Sequence, residues 1–207
     1  MKEENKELLI IFYRNPVLGK VKTRLAATIG DTRALELYKY LVAHTRDVVS
    51  GVKATTDKAV FYSDVVDVED EWENIPVRKF KQKGVGLGER MLEAFTLGFS
   101  MGYASICIIG TDCLELSGSI VDSAFTELRS HDAVIGPARD GGYYLLGLKQ
   151  MEPSIFQNKA WGTDLICEST LANFKQAGLC YSILPTLRDI DVEDDLPLLL
   201  RKSISTL

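Results

Sequence analysis

The chain's first apolar segment reads LLIIFY at residues 8–13, and the basic segment RNPVLGKVKTRL follows it at residues 14–25. A run without polar residues is typical of a parallel strand that helices cover on both faces. We therefore predict a central strand at 8–13. A glycine- and proline-bearing loop, residues 15–22, follows it at the carboxyl end of the strand.

Outward from this segment, strand-like and helix-like patterns alternate to the end of the chain. Helices are predicted at about 31–52, 87–99, 117–129, 163–177 and 193–200, and further strands at 59–62, 77–80, 105–109, 133–135, 143–148 and 181–184. Alternation of this kind predicts a mostly parallel α/β sheet with helices on both faces. No change in composition marks a boundary, so we expect one domain over residues 1–207.

Composition excludes several classes of protein. The 207 residues are 46% hydrophobic, which suits a folded α/β domain with a full core, and the net charge of -5 argues against a nucleic-acid partner. No apolar run is long enough to cross a membrane. The charged residues 1–6 argue against a signal peptide, so we expect a cytoplasmic protein whose four cysteines are free thiols.

The charges are unevenly distributed along the chain. Residues 14–24 contain four bases and no acid, whereas residues 189–195 contain five acids and no base. A basic loop together with an acidic turn suits a metal–nucleotide complex, although two solvated surface segments would have the same sequence.

The basic loop is the first candidate site. Gly19 would let backbone N–H groups approach a phosphate, and Lys22 and Arg24 would neutralise its oxygens, with Thr23 between them. The spacing is not that of a P-loop. A solvated surface loop remains the alternative.

The second candidate is the segment from Gln82 to Arg90, where Gly84, Gly86 and Gly88 alternate before a predicted helix. The spacing does not match the Rossmann fingerprint, so a nicotinamide enzyme fits poorly. A glycine loop that leads into a helix favours an anion or a base edge. An ordinary strand-to-helix turn remains open.

The third candidate is Asp112, which follows the predicted strand 105–109 and should point to the ligand-binding edge of the sheet. Mg²⁺ prefers one or two carboxylates together with phosphate oxygens and water. We expect Asp191 to be the second carboxylate, unless it only caps the last helix. We interpret Cys113 as a packed thiol rather than a nucleophile.

The fourth candidate is Asp140, in the Asp-Gly-Gly turn at 140–142. It would orient or deprotonate an acceptor hydroxyl, or it would simply belong to a β-hairpin turn. Trp161 is either a substrate wall or a core residue, and Thr163 is a possible helix N-cap.

Six motifs in this order resemble those of the DUF2064 family of GT-A-like proteins, and the resemblance runs from about residue 8 to 196. The motifs are R-x-P-x-x-G-x-V-K-T-R-L at 14–25, G-E-R-M at 88–91, G-T-D-C at 110–113, D-G-G-Y-Y-L at 140–145, W-x-T at 161–163 and D-x-D at 189–191. The resemblance implies a GT-A-like nucleotide-diphospho-sugar transferase fold. It also implies a nucleotide pocket made by the first loop and the 82–90 segment, and a metal aspartate at Asp112.

We expect a transferase that depends on Mg²⁺ or Mn²⁺ and moves a sugar from a nucleotide-diphospho-sugar to a small-molecule acceptor. Its site residues would be Asp112, Asp140, Lys22 and Arg24 for catalysis, Gly19, Lys22, Thr23, Arg24, Gln82, Gly84, Gly88 and Arg90 for the nucleotide, and Asp112 and Asp191 for the metal. One alternative is a nucleotidyltransferase that moves NMP from an NTP to a phosphorylated small molecule. Another is a nucleotide-binding protein without catalysis.

Overall fold

The structure is a computed structural model, and it describes residues 6–67, 69–198 and 200–201. Within these residues, seven strands and five α-helices follow one another: β1 Glu7–Tyr13, α1 Thr23–Ile29, α2 Asp31–Gly51, β2 Thr56–Tyr62, β3 Arg78–Lys81, α3 Leu87–Ser100, β4 Ser105–Ile109, α4 Gly118–Glu127, β5 Ala133–Pro137, β6 Tyr143–Leu148, α5 Ile166–Gln176 and β7 Tyr181–Ile183. Short 3₁₀ helices lie at Pro153–Ile155 and Glu193–Asp195.

The strands form one sheet in the order β3-β2-β1-β4-β6-β5-β7. Strand β6 runs antiparallel to both of its neighbours, and every other pair of neighbouring strands is parallel. The prediction of a mostly parallel sheet is therefore confirmed, with β6 as the exception. Because the strand order reverses between β1 and β4, the carboxyl ends of these two strands flank a crevice in which ligands of open α/β sheets bind.

Strand β1 is buried on both faces, as its apolar sequence predicts. Leu9 and Ile11 pack into a core with α2 and α4, whereas Leu8 and Ile10 pack into a second core with α3 and α5. Alternate side chains of a strand point to opposite faces, so the two cores lie on opposite sides of the sheet. No described helix has both the length and the apolar composition needed to span a membrane.

One helix was not predicted, and two predicted helices need correction. Helix α1 lies between the first loop and residue 31 and buries Leu25 against α2. Helix α5 begins at Ile166 rather than near 163, because residues 161–165 form turns and Leu165 occupies the N-cap position. The predicted final helix at 193–200 begins as a 3₁₀ turn, and it includes residue 199, which lies outside the described residues, as do residues 1–5.

Candidate functional site

Four chain segments converge at the carboxyl edge of the sheet. They are the loop after β1, the turn after β4, the β5–β6 turn, and the chain that continues beyond β7 to residue 191. Backbone hydrogen bonds join three of them: Ile190 N donates to Asp112 O at 2.9 Å, and Leu187 N donates to Pro137 O at 3.0 Å. The aspartates that sequence analysis selected from separate motifs are thereby brought to one edge.

Lys22 lies at the centre of this edge. It precedes α1 in the left-handed conformation, with φ 46° and ψ 45°, which is uncommon for a residue with a side chain. Its side chain is only 7% exposed, and its Nζ lies 2.9 Å from Asp112 Oδ2 and 3.9 Å from Asp191 Oδ1. A costly backbone conformation that directs a buried ammonium between two carboxylates is characteristic of a functional site.

Arg24 adds a second positive charge. Its Nη1 lies 2.6 Å from Asp191 Oδ2, at an exposed position where the pair contributes little stability. The sequence also allowed Asp191 to be only a cap of the last helix, but Asp191 does not cap the final turn. That role belongs to Asp195, whose Oδ2 accepts from Asp191 N and Val192 N.

Asp189 is the site residue to which the sequence analysis gave no role. Its Oδ1 is buried, and no residue that the structure describes donates a hydrogen bond to it. Burial, and then the charges of Asp112 and Asp140, raise the pKa of Asp189 to about 7, against smaller opposing effects of a hydrogen bond with Cys113 and of the charge of Lys22. Alternation along an extended chain places residues 189 and 191 on the same side. The D-x-D spacing was therefore the signal in the sequence that could have identified Asp189 as a neighbour of Asp191.

The carboxylates at this edge are the kind of ligand that a hard divalent cation prefers, although they are not already arranged as a complete metal site. No group of three or more His, Cys, Asp or Glu side chains within the described part of the chain is arranged to hold a metal ion. Mg²⁺ requires fewer protein ligands, since phosphate oxygens and water complete its shell. Asp112 and Asp191 offer oxygens on either side of the Lys22 ammonium, and the unsatisfied Asp189 Oδ1 lies in the same cluster.

The first loop is shaped by its glycine. Gly19 has φ 73°, and Lys20 N donates to Val17 O at 3.0 Å in the same turn. Thr23 is the first residue of α1, directly after Lys22. The loop therefore brings both bases to the carboxylates of Asp112 and Asp191. Contact of Gly19, Lys22, Thr23 and Arg24 with a nucleotide stays a prediction.

The 82–90 segment is held by its own side chains. Gln82 Nε2 donates to Phe61 O at 2.8 Å, and Arg90 Nε donates to Gly84 O at 3.1 Å. Arg90 Nη1 also contacts Gln82 Oε1 at 3.4 Å. Gln82, Gly84 and Arg90 thus order this loop beside the crevice, and nucleotide recognition by them stays a prediction.

Gly88 serves a packing purpose. A Cβ at this position would collide with Trp161 Nε1 and would lie 2.7 Å from its Cε2. Trp161 is half-buried, packs against the core on the α3 side, and also lines a cavity. The core interpretation of Trp161 is therefore confirmed, and its role as a substrate wall stays a prediction. Thr163 is not an N-cap, since Leu165 occupies that position and Thr163 Oγ1 donates to Ala160 O.

Asp140 lies in the β5–β6 turn, which confirms the hairpin interpretation. Its Oδ1 accepts from Gly142 N at 2.9 Å, and the turn packs so closely on residue 164 that a Cβ on Gly141 would collide with the Asp164 backbone. Asp140 also lines the cavity, so the turn does not exclude a role in chemistry.

The cavity has a volume of about 540 Å³ and contains Arg24, Asp189 and Asp191 in its wall. We call it the Trp161 cavity. A larger cavity of about 680 Å³ lies beside Tyr13 and Asn15. Its lining residues do not include Lys22, Arg24, Asp112, Asp189 or Asp191. We therefore take the Trp161 cavity as the candidate site. Cys113 is 5% exposed, and burial raises the pKa of its thiol, which confirms that it is a packed thiol.

Comparisons with known proteins agree with this architecture. A family model described as "Uncharacterized protein conserved in bacteria (DUF2064)" matches residues 49–163. No curated protein sequence shows significant similarity. A crystal structure from Desulfovibrio desulfuricans G20, of a protein provisionally called a nucleotide-diphospho-sugar transferase, is 30% identical, with a TM-score of 0.86 over 97% of this chain and 88% of that one.

Two further structures show likeness in fold alone. The inositol-1-phosphate CTP transferase from T. maritima is 15% identical, with a TM-score of 0.54 over 98% of this chain and 96% of that one. The 4-diphosphocytidyl-2C-methyl-D-erythritol synthase from Anaerococcus prevotii DSM 20548 is 13% identical, with a TM-score of 0.61 over 99% of this chain and 100% of that one.

Proposed function

Because this chain belongs to the DUF2064 family, we propose that it is a nucleotide-utilising transferase whose donor is a nucleotide-diphospho-sugar. The observation that carries the proposal is the buried Lys22 ammonium between Asp112 and Asp191 at the crevice of the sheet. The provisional assignment of the Desulfovibrio protein, 30% identical over nearly the whole chain, supports the choice of donor.

A divalent cation, Mg²⁺ or Mn²⁺, would be held by Asp112 and Asp191. When bound, such a cation supplies positive charge to the diphosphate of the donor and so favours its departure. Lys22 would then be freed from its carboxylates to contact phosphate oxygens, with Arg24 beside it. Gly19 and Thr23 would bring backbone N–H groups to the same phosphates.

The nucleoside would lie along the 82–90 segment, on the side of the crevice that β1, β2 and β3 form. There the exposed Gly84 would let a flat base approach the backbone, while Gln82 and Arg90 keep the loop in position and Gly88 lets Trp161 pack closely beside it. This arrangement leaves the opposite side of the crevice, under the β5–β6 turn, for the sugar and its acceptor.

Asp140 would act on the acceptor. Its Oδ1 is committed to Gly142 N, which leaves Oδ2 to accept a proton from an acceptor hydroxyl. The hydroxyl oxygen bonds to the anomeric carbon of the sugar while the bond from that carbon to the diphosphate breaks. The proton moves to Asp140, and the nucleoside diphosphate leaves with its charge stabilised by Lys22 and Arg24.

Nucleotidyl transfer is the second candidate, and the turn after β4 favours it. This turn presents Asp112 without a second acid two residues before it, where Gly110 stands. A Cβ on Gly110 would lie 2.9 Å from Asp112 Oδ1, so the glycine leaves room for that carboxylate alone. With Lys22 and Arg24 close by, the site would also suit the triphosphate of an NTP.

A thermal-shift screen of nucleotide-sugars against NTPs, each with Mg²⁺, separates these functions. A ligand that binds only the folded state stabilises it by about 2.7 kcal/mol at a hundredfold excess over its Kd. We expect a nucleotide-sugar or NDP to give the largest shift. An NTP preference followed by pyrophosphate release would establish nucleotidyl transfer, and binding without turnover would establish a non-catalytic protein. A lack of any shift contradicts all three.

We also propose a cytoplasmic location, which the four free thiols favour.

A further inference from the structure

The Trp161 cavity adjoins the proposed phosphate site and shares Arg24 and Asp191 with it. Its other walls come from the β5–β6 turn, from residues 161–166 before and at the start of α5, from Leu87 at the start of α3, and from Asp189. Its volume of about 540 Å³ is ordinary for a small-molecule site. The cavity thus has the position and the size for the acceptor.

One wall of the cavity is apolar. Tyr143 and Trp161 contribute aromatic surface, and Leu87 and Ile166 contribute aliphatic surface. Trp161 is supported from behind by the close approach of Gly88, so its position is set by packing. A rigid aromatic wall suits the flat or apolar face of a ring.

The rest of the wall is acidic. Asp140, Asp164, Asp189 and Asp191 all line the cavity, against a single basic side chain, Arg24. Arg24 is already 2.6 Å from Asp191 Oδ2.

Asp140 and Asp164 form no salt bridge with any residue that the structure describes. A cation held by Asp112 and Asp191 would leave these two carboxylates uncompensated. Arg24 is engaged by Asp191 or by the donor phosphates, so a phosphate or carboxylate group on an acceptor beside Asp140 and Asp164 would face like charges.

We propose that the acceptor carries no anionic group: it is a neutral or cationic hydroxyl compound with an apolar face that packs on Trp161 and Tyr143. The inference rests on the proposed function, since it takes the cavity as the acceptor's place. It separates this chain from transferases whose acceptor is a phosphorylated small molecule.

Fluorescence quenching measures the charge of the cavity directly. The chain has two tryptophans, and Trp72 is fully buried, so collisional quenching reports on Trp161. Three quenchers are compared: caesium, neutral acrylamide and iodide. The measurements are made in the presence of Mg²⁺ and of the nucleotide that stabilises the protein most. Each quenching constant is divided by the constant for free tryptophan amide. The variant Trp161→Phe supplies the background.

We expect the normalised constant for caesium to exceed that for iodide at least threefold, because a negative potential concentrates cations and excludes anions. In Asp164→Lys this ratio should fall toward one, whereas acrylamide quenching should stay as in the parent. Iodide quenching equal to or stronger than caesium quenching in the parent overturns the inference.

Transfer assays then test the acceptor class with matched pairs, such as methyl glucoside against glucose 6-phosphate and glucosamine against glucosamine 6-phosphate. We expect at least tenfold faster transfer to a member without phosphate. Equal or faster transfer to a phosphorylated member overturns the inference while the nucleotide shift upholds the proposed function. If no nucleotide stabilises the protein, the proposed function fails, and quenching measured without nucleotide still decides the charge of the cavity.

Discussion

Replacing Asp189 with Asn should stabilise the protein at alkaline pH. The carboxyl group has its pKa raised to about 7 from an ordinary value of 3.8, chiefly by burial and then by Asp112 and Asp140. Below about pH 4 both the folded and the unfolded states carry the proton, and the group costs nothing. As the pH rises from 4 to 7 the unfolded state ionises first, so the folded state loses stability, and above pH 7 the full cost is present.

The size of the effect follows from the shift in pKa. About three units at 1.36 kcal/mol each give an upper bound of roughly 4 kcal/mol. Urea unfolding of Asp189→Asn and the parent, at pH 4 and at pH 8 without divalent cations, measures the difference. We expect the variant to be more stable by about 2–4 kcal/mol at pH 8 and nearly equal to the parent at pH 4. Asp164→Asn, on the wall of the same cavity, should show little change at either pH. A difference that is the same at both values, or a parent that is the more stable at pH 8, would refute the reasoning.

Three further substitutions test other parts of the site. Asp112→Asn should lose Mg²⁺-dependent nucleotide binding while keeping the fold; unchanged affinity by calorimetry would contradict the metal assignment. Lys22→Gln should weaken nucleotide binding by about 1–3 kcal/mol, as expected for loss of a charge-assisted contact, whereas Lys6→Gln should not; equal losses would mean that only overall charge matters. Gly88→Ala should lower the melting temperature and displace the indole behind it, while Gly86→Ala, where a Cβ meets nothing within 4 Å, should be tolerated; equal melting temperatures for the two variants would count against the packing argument.

The order of strands and helices was predictable because each apolar pattern reports local burial. The segment 8–13 has no polar residue, and the structure buries it on both faces. Helix α1 escaped prediction because it is only seven residues long and buries one of them, Leu25. A helix of that length has too few turns to show a period.

The site was predictable where a residue follows a strand. Asp112 and Lys22 each follow a central strand, and the structure brings them within 2.9 Å of each other. The properties of Asp189 were not predictable, because they come from distant carboxylates and from burial that only the fold creates. The hydrogen bonds of Gln82 to the end of β2 are likewise invisible in a linear pattern.

The segments that carry the aspartates are joined through main-chain atoms. Ile190 N bonds to Asp112 O, Leu187 N to Pro137 O, and Arg139 N to Leu187 O. None of these bonds depends on the identity of a side chain, so substitution of Asp112, Asp189 or Asp191 should change what the edge binds and leave the course of the chain intact. Point mutations at these positions thus offer an evolving gene new donors and acceptors on an unchanged frame, and they give a protein engineer the same freedom.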